Sequence, residues 1–269
     1  MTWAQEFVKF TPAQFKKYIE YCSARWSAYN IIWVLCGEFD EAFSQASGSK
    51  PQNIYVDYIN HLKDNDPYGH PIGLHPGGEH SSGDFGYGYD HVDFIGQQHS
   101  YNVYNEIISD LKYGKPVINL EYCYAGWHDT VPGHENLLLQ GAIDIITAGG
   151  YYTAGFFETF APDKGGWNPG AHSEKQAQIA GLNGFWKSLP MNRLFPYQTE
   201  LYEQAMKSEF DEYLIFDRTE IIIPDGQKIY YDPITTGYSD EKPIGEYLLL
   251  ITQEDNEPPS RPTGLKIIE

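Results

Sequence analysis

Basic residues are scarce in this 269-residue chain, which has 18 Lys and Arg against 37 Asp and Glu and a formal net charge of −19. Such a charge repels a phosphate backbone or an anionic membrane surface. We therefore expect no nucleic-acid partner. Long apolar runs are missing as well: no stretch reaches the roughly 18 residues of a transmembrane helix, so no membrane span is predicted.

Cysteine is also rare. Cys22, Cys36 and Cys123 lie within or beside apolar stretches and have no C-x-x-C spacing. This pattern favours buried free thiols over a metal site or a disulfide framework. The first residues show no basic region followed by an apolar core, so we expect no signal peptide in this chain.

Several catalytic and cofactor-binding motifs are absent. The chain has no Gly-x-Ser-x-Gly motif, so acyl transfer has no support, and its paired glycines at 149–150 and 165–166 form no phosphate-binding fingerprint. The histidines His70, His75 and His80 lack the close, rigid spacing of metal ligands. A solvated loop or hydrogen bonding to sugar explains them better, and we expect no metal and no cofactor.

Aromatic residues, in contrast, are abundant, at 16% of the chain with 22 Tyr and 6 Trp. Sugar rings pack their C–H faces on aromatic side chains, and sugar hydroxyls need donors and acceptors nearby. The composition therefore suits a carbohydrate-binding protein, although an ordinary aromatic core has the same composition.

Two apolar runs that each end in a glutamate dominate the sequence: NIIWVLCGE at 30–38 and KPVINLE at 115–121. Continuous β-branched runs are typical of strands covered on both faces, and an α/β barrel keeps its chemistry at the carboxyl ends of such strands. Two facing carboxyl groups can cleave a glycosidic bond, one protonating the leaving oxygen while the other attacks the sugar or activates water.

The separation of the two glutamates supports this interpretation. A single glutamate after a strand is often a solvated loop residue. Glu38 and Glu121 are 83 positions apart, however, which divides into three β/α units of about 28 residues and places them on strands four and seven of a barrel.

The rest of the chain to residue 195 alternates between helical and strand patterns. Predicted helices cover 11–29, 51–64, 102–113, 134–147 and 173–189, and predicted strands begin near 30, 71, 92, 116 and 150. The alternation predicts an α/β fold, a (β/α)8 (TIM) barrel of parallel strands joined by right-handed crossovers. The glycine-rich stretch 77–89 is predicted to be a long loop that shapes a binding site. Since a barrel needs eight strands, we expect the chain to hold only the C-terminal five β/α units, and to need missing N-terminal barrel units or a partner chain.

The pattern changes after residue 195. Short strands separated by turn signals predict a small antiparallel, sandwich-like β-domain at 196–252. The polar, proline-rich segment 253–269 has the composition of a linker that could lead to a further module.

The stretches Trp26 to Glu38 and Lys115 to Tyr122 resemble the apiosidase-like glycoside hydrolases of bacteria, which belong to the clan of retaining (β/α)8-barrel enzymes. The stretches 232–237 and 246–251 resemble the close of the collagen-binding-type β-domain that follows such barrels. The resemblance implies a glycosidase that acts on an oligo- or polysaccharide with retention of configuration. It also implies an extracellular or periplasmic location for the full-length protein.

The same resemblance implies roles for individual residues. Glu38 becomes the general acid/base and Glu121 the nucleophile, and His99 or Tyr101 holds the nucleophile. Gly37 stands where many members have an Asn that donates to the sugar 2-hydroxyl. Further candidates for substrate binding, from their positions near strand ends, are His75, Tyr122, Trp127 and Glu158.

The proposed chemistry makes two demands on the carboxyl groups. Glu38 should have its pKa raised by an apolar surround, whereas Glu121 should stay ionised. In a retaining enzyme the two groups should lie roughly 5–5.5 Å apart. The alternative is a non-catalytic carbohydrate-binding or surface adhesion protein derived from such a barrel, because a barrel without its first strands lacks part of the substrate site.

Overall fold

The computed structural model describes residues 4–44, 53–86, 90–126, 128–132, 137–156 and 172–187, together with short strands between 194 and 253. The chain divides into two compact units. Residues 1–101 and 109–121 form the first unit, and residues 102–108 and 122–269 form the second. The boundaries predicted at 195 and 252 stay predictions.

The helices of the first unit begin where local signals place them. They are α1 (Ala4–Phe7), α2 (Pro12–Trp26), α3 (Glu41–Ser44) and α4 (Ile54–Asn65), so the helices predicted at 11–29 and 51–64 are confirmed. Thr11 and Gln14 form a capping box at the start of α2, where the Thr11 hydroxyl accepts from the Gln14 N–H at 3.3 Å and the Gln14 side chain accepts from the Thr11 N–H at 2.9 Å. These bonds satisfy N–H groups that a helix start leaves unpaired.

Helices α2 and α4 pack through the apolar faces that their sequence periodicity predicts. The rings of Phe15 and Tyr58 lie 4.7 Å apart, and Phe7 stacks on Tyr55 at 5.1 Å. The residues that face the core recur at helical spacing, and they are all buried: Phe15, Ile19 and Cys22 of α2, and Tyr55, Tyr58, Ile59 and Leu62 of α4. Trp26, the last residue of α2, is 39% exposed.

The strands of the first unit are β1 (Trp33–Val34), β2 (Ile72–Gly73), β3 (His80–Ser81), β4 (Ile95–Gln98) and β5 (Val117–Asn119). The pairs β1–β2 and β4–β5 are parallel, as predicted, and β3–β4 is antiparallel. Helix α5 (Val103–Asp110) and a 3-10 turn at Leu111–Tyr113 connect β4 to β5. The strands occur where the apolar runs predict them but are shorter than those runs.

Strand β4 lies beside β2. The Asp93 N–H donates to the Ile72 carbonyl at 2.7 Å, and the Ile72 N–H donates to the Asp93 carboxylate at 2.9 Å. A Cβ atom at Gly96 would stand 2.0 Å from the Leu74 carbonyl oxygen, so the two strands approach closely where only glycine fits. The spatial order of the parallel strands is therefore β1, β2, β4, β5.

The glycine-rich stretch is more ordered than predicted. It contains β3 and a 3-10 helix at Ser82–Phe85, and only its last part, 87–89, lies outside the described residues. The Ser81 N–H donates to Asp84 at 2.8 Å, and the Gly96 N–H donates to the Ser82 hydroxyl at 3.0 Å. The prediction of a long loop was wrong because serine and aspartate side chains cap this segment and attach it to β4.

The second unit contains α6 (Leu137–Thr147) and α7 (Ser173–Lys187), which confirm the helices predicted at 134–147 and 173–189. Its short strands β6 (Tyr124–Ala125) and β8 (Gly155–Phe156) pair in parallel, and β7 is Tyr151–Tyr152. Helix α6 is buried on most sides, and Tyr122 packs under it where Gly141 leaves space for the ring.

A six-stranded sheet forms the C-terminal part of the second unit. Its strands are β9 (Leu194–Pro196), β10 (Leu214–Asp217), β11 (Glu220–Ile222), β12 (Gly226–Asp232), β13 (Gly237–Ser239) and β14 (Leu248–Gln253), in the spatial order β13-β12-β14-β11-β10-β9. The sheet is mixed, because β9–β10 and β11–β14 are parallel. The prediction of a wholly antiparallel domain was wrong in this respect.

Across the ranges that the structure describes, the strands do not close into a barrel. The fold is a mixed α/β architecture consistent with part of one. Cys22, Cys36 and Cys123 are all buried thiols outside any disulfide, as predicted.

Candidate active site

Glu38 follows β1 and is held in an unusual backbone conformation, with a φ of +51°. Residues other than glycine rarely adopt this left-handed region, and they stay there only when neighbouring contacts hold them. The Phe39 N–H donates to the His75 carbonyl and the Tyr55 hydroxyl donates to the Phe39 carbonyl, both at 2.9 Å. The Glu41 N–H donates to the Glu38 carbonyl at 3.0 Å. The backbone from the Glu38 carbonyl through Phe39 is therefore fixed.

The Glu38 side chain is half-buried and lies among other acids. Burial raises the pKa of its carboxyl group above the ordinary value, and the negative charges of Glu41 and Asp40 raise it further. A hydrogen bond from Gln98, whose Nε2 lies 3.5 Å from Glu38 Oε1, acts in the opposite direction. The net effect favours the protonated form, as a general acid requires.

Glu121 follows β5 and faces His75, which follows β2. His75 Nε2 lies 3.4 Å from Glu121 Oε2, and the two side chains are 11% and 14% exposed. The Leu120 N–H donates to the Gln97 carbonyl at 2.8 Å, so the ladder between β4 and β5 continues to the residue before Glu121. Burial lowers the pKa of His75 to about 4, although the nearby Gln98 side chain and the charge of Asp40 favour the protonated ring, so the imidazole is neutral at neutral pH.

The contacts between these four side chains cross the carboxyl edge of the sheet. Glu38, which follows β1, contacts Gln98 at the end of β4, and His75, which follows β2, contacts Glu121, which follows β5. In the spatial order β1, β2, β4, β5, each contact passes over one intervening strand. Side chains that follow non-neighbouring parallel strands can meet over the carboxyl edge of a sheet, where α/β barrels keep their active sites. Because the Gln98 side chain also acts on the His75 ring, Glu38, Gln98, His75 and Glu121 form one cluster.

Two acidic side chains hold the segments around the cluster. Asp40 accepts from the Gly77 N–H at 2.6 Å and contacts His80 Nδ1 at 2.9 Å. Glu79 accepts from the Ser100 N–H at 3.0 Å and lies 3.4 Å from His99 Nδ1. The segments after β1, β2 and β4 are thus attached to one another near the two glutamates.

The other predicted site residues have different surroundings. His99 is buried, and its carbonyl accepts from Asn119 Nδ2 at 2.9 Å. Tyr101 is 44% exposed. Tyr122 is packed within the second unit, where its hydroxyl donates to the Leu138 carbonyl, so packing accounts for this ring. Trp127 and Glu158 lie outside the described residues.

The histidines considered as metal ligands each contact a different acid. His70 Nδ1 lies 2.9 Å from Asp66, His80 contacts Asp40, and His75 contacts Glu121. Within the described part of the chain, no group of three or more His, Cys, Asp or Glu side chains is arranged to hold a metal ion.

Gln98 is the member of the cluster that the sequence reasoning missed. Its contact with Glu38 joins residues 60 positions apart, and glutamine belongs to no acid/base motif. The available signal was its place at the end of the predicted strand 92–99, next to His99.

Residues 1–142 match the family described as apiosidase-like, catalytic domain, which is more than half of the chain. The chain belongs to the apiosidase-like family. The matched part includes the whole cluster of Glu38, His75, Gln98 and Glu121. No match was found among curated proteins.

Several solved structures share the fold. A glycoside hydrolase family 5 protein from Bacteroides vulgatus ATCC 8482 is 15% identical with a TM-score of 0.54, over 71% of this chain and 49% of that one. A structure described as a glycoside hydrolase is 15% identical with a TM-score of 0.59, over 94% and 68%. A further Bacteroides vulgatus ATCC 8482 protein, provisionally assigned as a glycoside hydrolase, is 17% identical with a TM-score of 0.62, over 94% and 53%.

At these identities the likeness shows the fold alone, and the chain spans about half the length of the first of these structures. Every helix that the structure describes is too short or too polar to cross a bilayer.

Proposed function

We propose that this chain carries the catalytic centre of a glycoside hydrolase that works by retaining double displacement on an oligo- or polysaccharide. The observation that carries the proposal is the cluster itself. Two glutamates that follow parallel strands lie beside Gln98 and His75 at the carboxyl edge of the sheet, and these two side chains lie close to one another.

Glu38 is proposed as the general acid/base. Burial and the charges of Glu41 and Asp40 raise the pKa of its carboxyl group, which favours the protonated form that a general acid needs. It gives its proton to the glycosidic oxygen as the bond to the anomeric carbon breaks. In the second step it takes a proton from the water that attacks the same carbon.

Glu121 is proposed as the nucleophile. One carboxylate oxygen forms a bond to the anomeric carbon as the leaving group departs, and water later displaces that oxygen. The neutral His75 contacts Oε2 of Glu121. A neutral ring orients the carboxylate without the charge neutralisation that an imidazolium would cause. A carboxyl separation of roughly 5–5.5 Å stays a prediction of this assignment.

The test is covalent trapping. The chain is incubated with a panel of activated 2-deoxy-2-fluoro pentosides and hexosides, and the digested protein is analysed by mass spectrometry. We expect one fluorosugar on the peptide that contains Glu121 and none on a Glu121→Gln variant. A label on another residue, or binding of glycans without label or turnover, would refute the assignment. The latter outcome would support the non-catalytic alternative.

We extend the proposal to location. A glycan substrate favours an extracellular or periplasmic site of action for the full-length protein, as does the resemblance to the apiosidase-like glycoside hydrolases.

A further inference from the structure

His75 and Gln98 are uncharged side chains that lie between the two glutamates of the cluster. Gln98 Nε2 is 3.5 Å from Glu38 Oε1, and His75 Nε2 is 3.4 Å from Glu121 Oε2. The Gln98 side chain also favours the protonated form of the His75 ring, which places the two side chains close to one another. The distances to the carboxylates are long for hydrogen bonds, as is common in catalytic sites without substrate.

The neutrality of His75 follows from its surroundings. Burial lowers its pKa to about 4, although Gln98 and the negative charge of Asp40 favour the protonated ring. Two acids act on the ring: Glu121 Oε2 lies 3.4 Å from His75 Nε2, and the charge of Asp40 favours the protonated ring. A cation in this position would stabilise both glutamates as carboxylates, and the two groups would lose the difference in protonation that the reaction needs.

Gln98 is fixed at its backbone. Its carbonyl accepts from the Glu79 N–H at 2.6 Å, and it pairs with His80 in the β3–β4 ladder. Its carboxamide has both donors and an acceptor and does not titrate. It can therefore contact the carboxyl group of Glu38 and the imidazole of His75 together while adding no charge to either.

We propose that Gln98 and His75 are an uncharged positioning pair that fixes the acid/base Glu38 and the nucleophile Glu121 relative to one another. Gln98 orients the carboxyl group that gives up the proton, and His75 orients the carboxylate that attacks. The inference rests on the proposed glycosidase function and adds residues to its site. Neither residue forms or breaks a bond to the substrate.

The positioning pair predicts that a substitution of Gln98 lowers kcat/KM by different amounts for substrates with good and with poor leaving groups. A dinitrophenyl leaving group departs without protonation, whereas a poor phenol needs the proton of Glu38. Gln98→Leu should lower kcat/KM about tenfold to a hundredfold for aryl glycosides with poor leaving groups and little for dinitrophenyl glycosides. His75→Leu should lower both, because every substrate needs nucleophilic attack. His75→Gln, which keeps a neutral donor, should recover part of the loss.

A role in packing alone predicts a different result. If Gln98 acted in packing alone, Gln98→Leu would lower kcat/KM equally for both leaving groups. An equal loss, or no loss, would overturn the proposal. His61→Gln, on α4 and paired with Glu20 away from the cluster, serves as the matched control and should keep wild-type kcat/KM.

A second measurement does not depend on turnover. Nitrogen-15 NMR of the His75 ring should show a neutral imidazole at neutral pH. Gln98→Glu should move the midpoint of the His75 titration upward, because it places a carboxylate beside the ring, and Glu121→Gln should move it downward. If neither variant moves the midpoint, the pair does not exist, even if glycosides are hydrolysed.

The two measurements also separate this inference from the proposed function. If the midpoint moves as expected while wild-type protein hydrolyses none of the aryl glycosides, the pair stands and the proposed function fails.

Discussion

Asp66 and Glu38 are two carboxylic acids near the two ends of β1, and their pKa values are shifted in opposite directions. Asp66 accepts from the Trp33 indole at 3.1 Å, from the Tyr68 N–H at 3.2 Å and from the His70 N–H at 2.8 Å, and it contacts the His70 ring at 2.9 Å. The donor described for Glu38 is Gln98, at 3.5 Å.

The difference in donors produces a difference in pKa. Burial acts to raise the pKa of Asp66, but its hydrogen bonds with His70, Tyr68 and Trp33 outweigh it and lower the pKa to about 2. Burial raises the pKa of Glu38, and a single long hydrogen bond does not offset it. Several hydrogen-bond donors stabilise the ionised form of a buried carboxyl group and lower its pKa. A buried carboxyl group with few donors has a raised pKa, which favours the protonated form that a general acid needs.

The largest effect expected from this comparison of Glu38 with Asp66 is a loss of activity on substitution of Glu38. Glu38→Gln removes the acid but keeps its shape. We expect kcat/KM for substrates with poor leaving groups to fall about 10²- to 10⁴-fold, because general acid catalysis contributes that much. The melting temperature should be unchanged or higher, since burial disfavours the charged form. Glu20→Gln, on the surface of α2, is the control, and a Glu38→Gln variant with wild-type activity would remove Glu38 from the mechanism.

Asp66→Asn should have the opposite profile. The amide keeps the shape of the side chain but loses the charge that its donors stabilise. We expect a loss of about 2 kcal/mol in the free energy of unfolding, which is the free-energy equivalent of the lowered pKa. Urea denaturation measures this loss, and activity per folded molecule should stay near wild type. A loss of activity without a loss of stability would show that Asp66 is not merely structural.

The two acids should also differ in the pH dependence of stability. The pKa of Asp66 is lower in the folded than in the unfolded state, so its contribution is present above its ordinary value and is lost as pH falls towards about 2. Wild-type protein should therefore lose about 2 kcal/mol more than Asp66→Asn between pH 5 and pH 2. Parallel stability curves for the two proteins over this range would contradict the assignment.

The smallest expected effect is at His70. His70→Ala removes the ring contact with Asp66 but leaves the backbone N–H bond, and we expect a loss of about 1 kcal/mol. His61→Ala removes a more exposed contact with Glu20 and should cost less. Equal losses at the two positions, measured by thermal unfolding, would indicate that burial of Asp66 adds nothing to the contact.

Local patterns in the sequence were sufficient to predict the helices and to select the two glutamates as candidates. The spacing of Tyr55, Tyr58, Ile59 and Leu62 identifies the buried face of α4 without knowledge of its partner, since helical periodicity is a local property. Glu38 and Glu121 were identified because an apolar run and the acid that ends it are adjacent in sequence.

Features that depend on distant segments could not be predicted in this way. The contact of Gln98 with Glu38 requires the spatial order of four strands, and that of His75 with Glu121 requires the same order. The glycine-rich segment was expected to be a loop. Its ordered structure depends on the contacts of Ser81 with Asp110 and of Ser82 with Gly96, and both partners lie outside the segment. Parallel pairs in the C-terminal sheet, such as β11–β14, likewise join strands far apart in sequence.

The most direct test of the central claim, that Glu38 and Glu121 act from opposite sides of one anomeric carbon, is azide rescue with determination of product stereochemistry by proton NMR. With an activated aryl glycoside, Glu121→Ala plus azide should give a glycosyl azide of inverted configuration, because azide replaces the nucleophile. Glu38→Ala plus azide should give the retained configuration, because azide attacks the intermediate on Glu121. Exchanged configurations, or no rescue in either variant, would contradict the assignment.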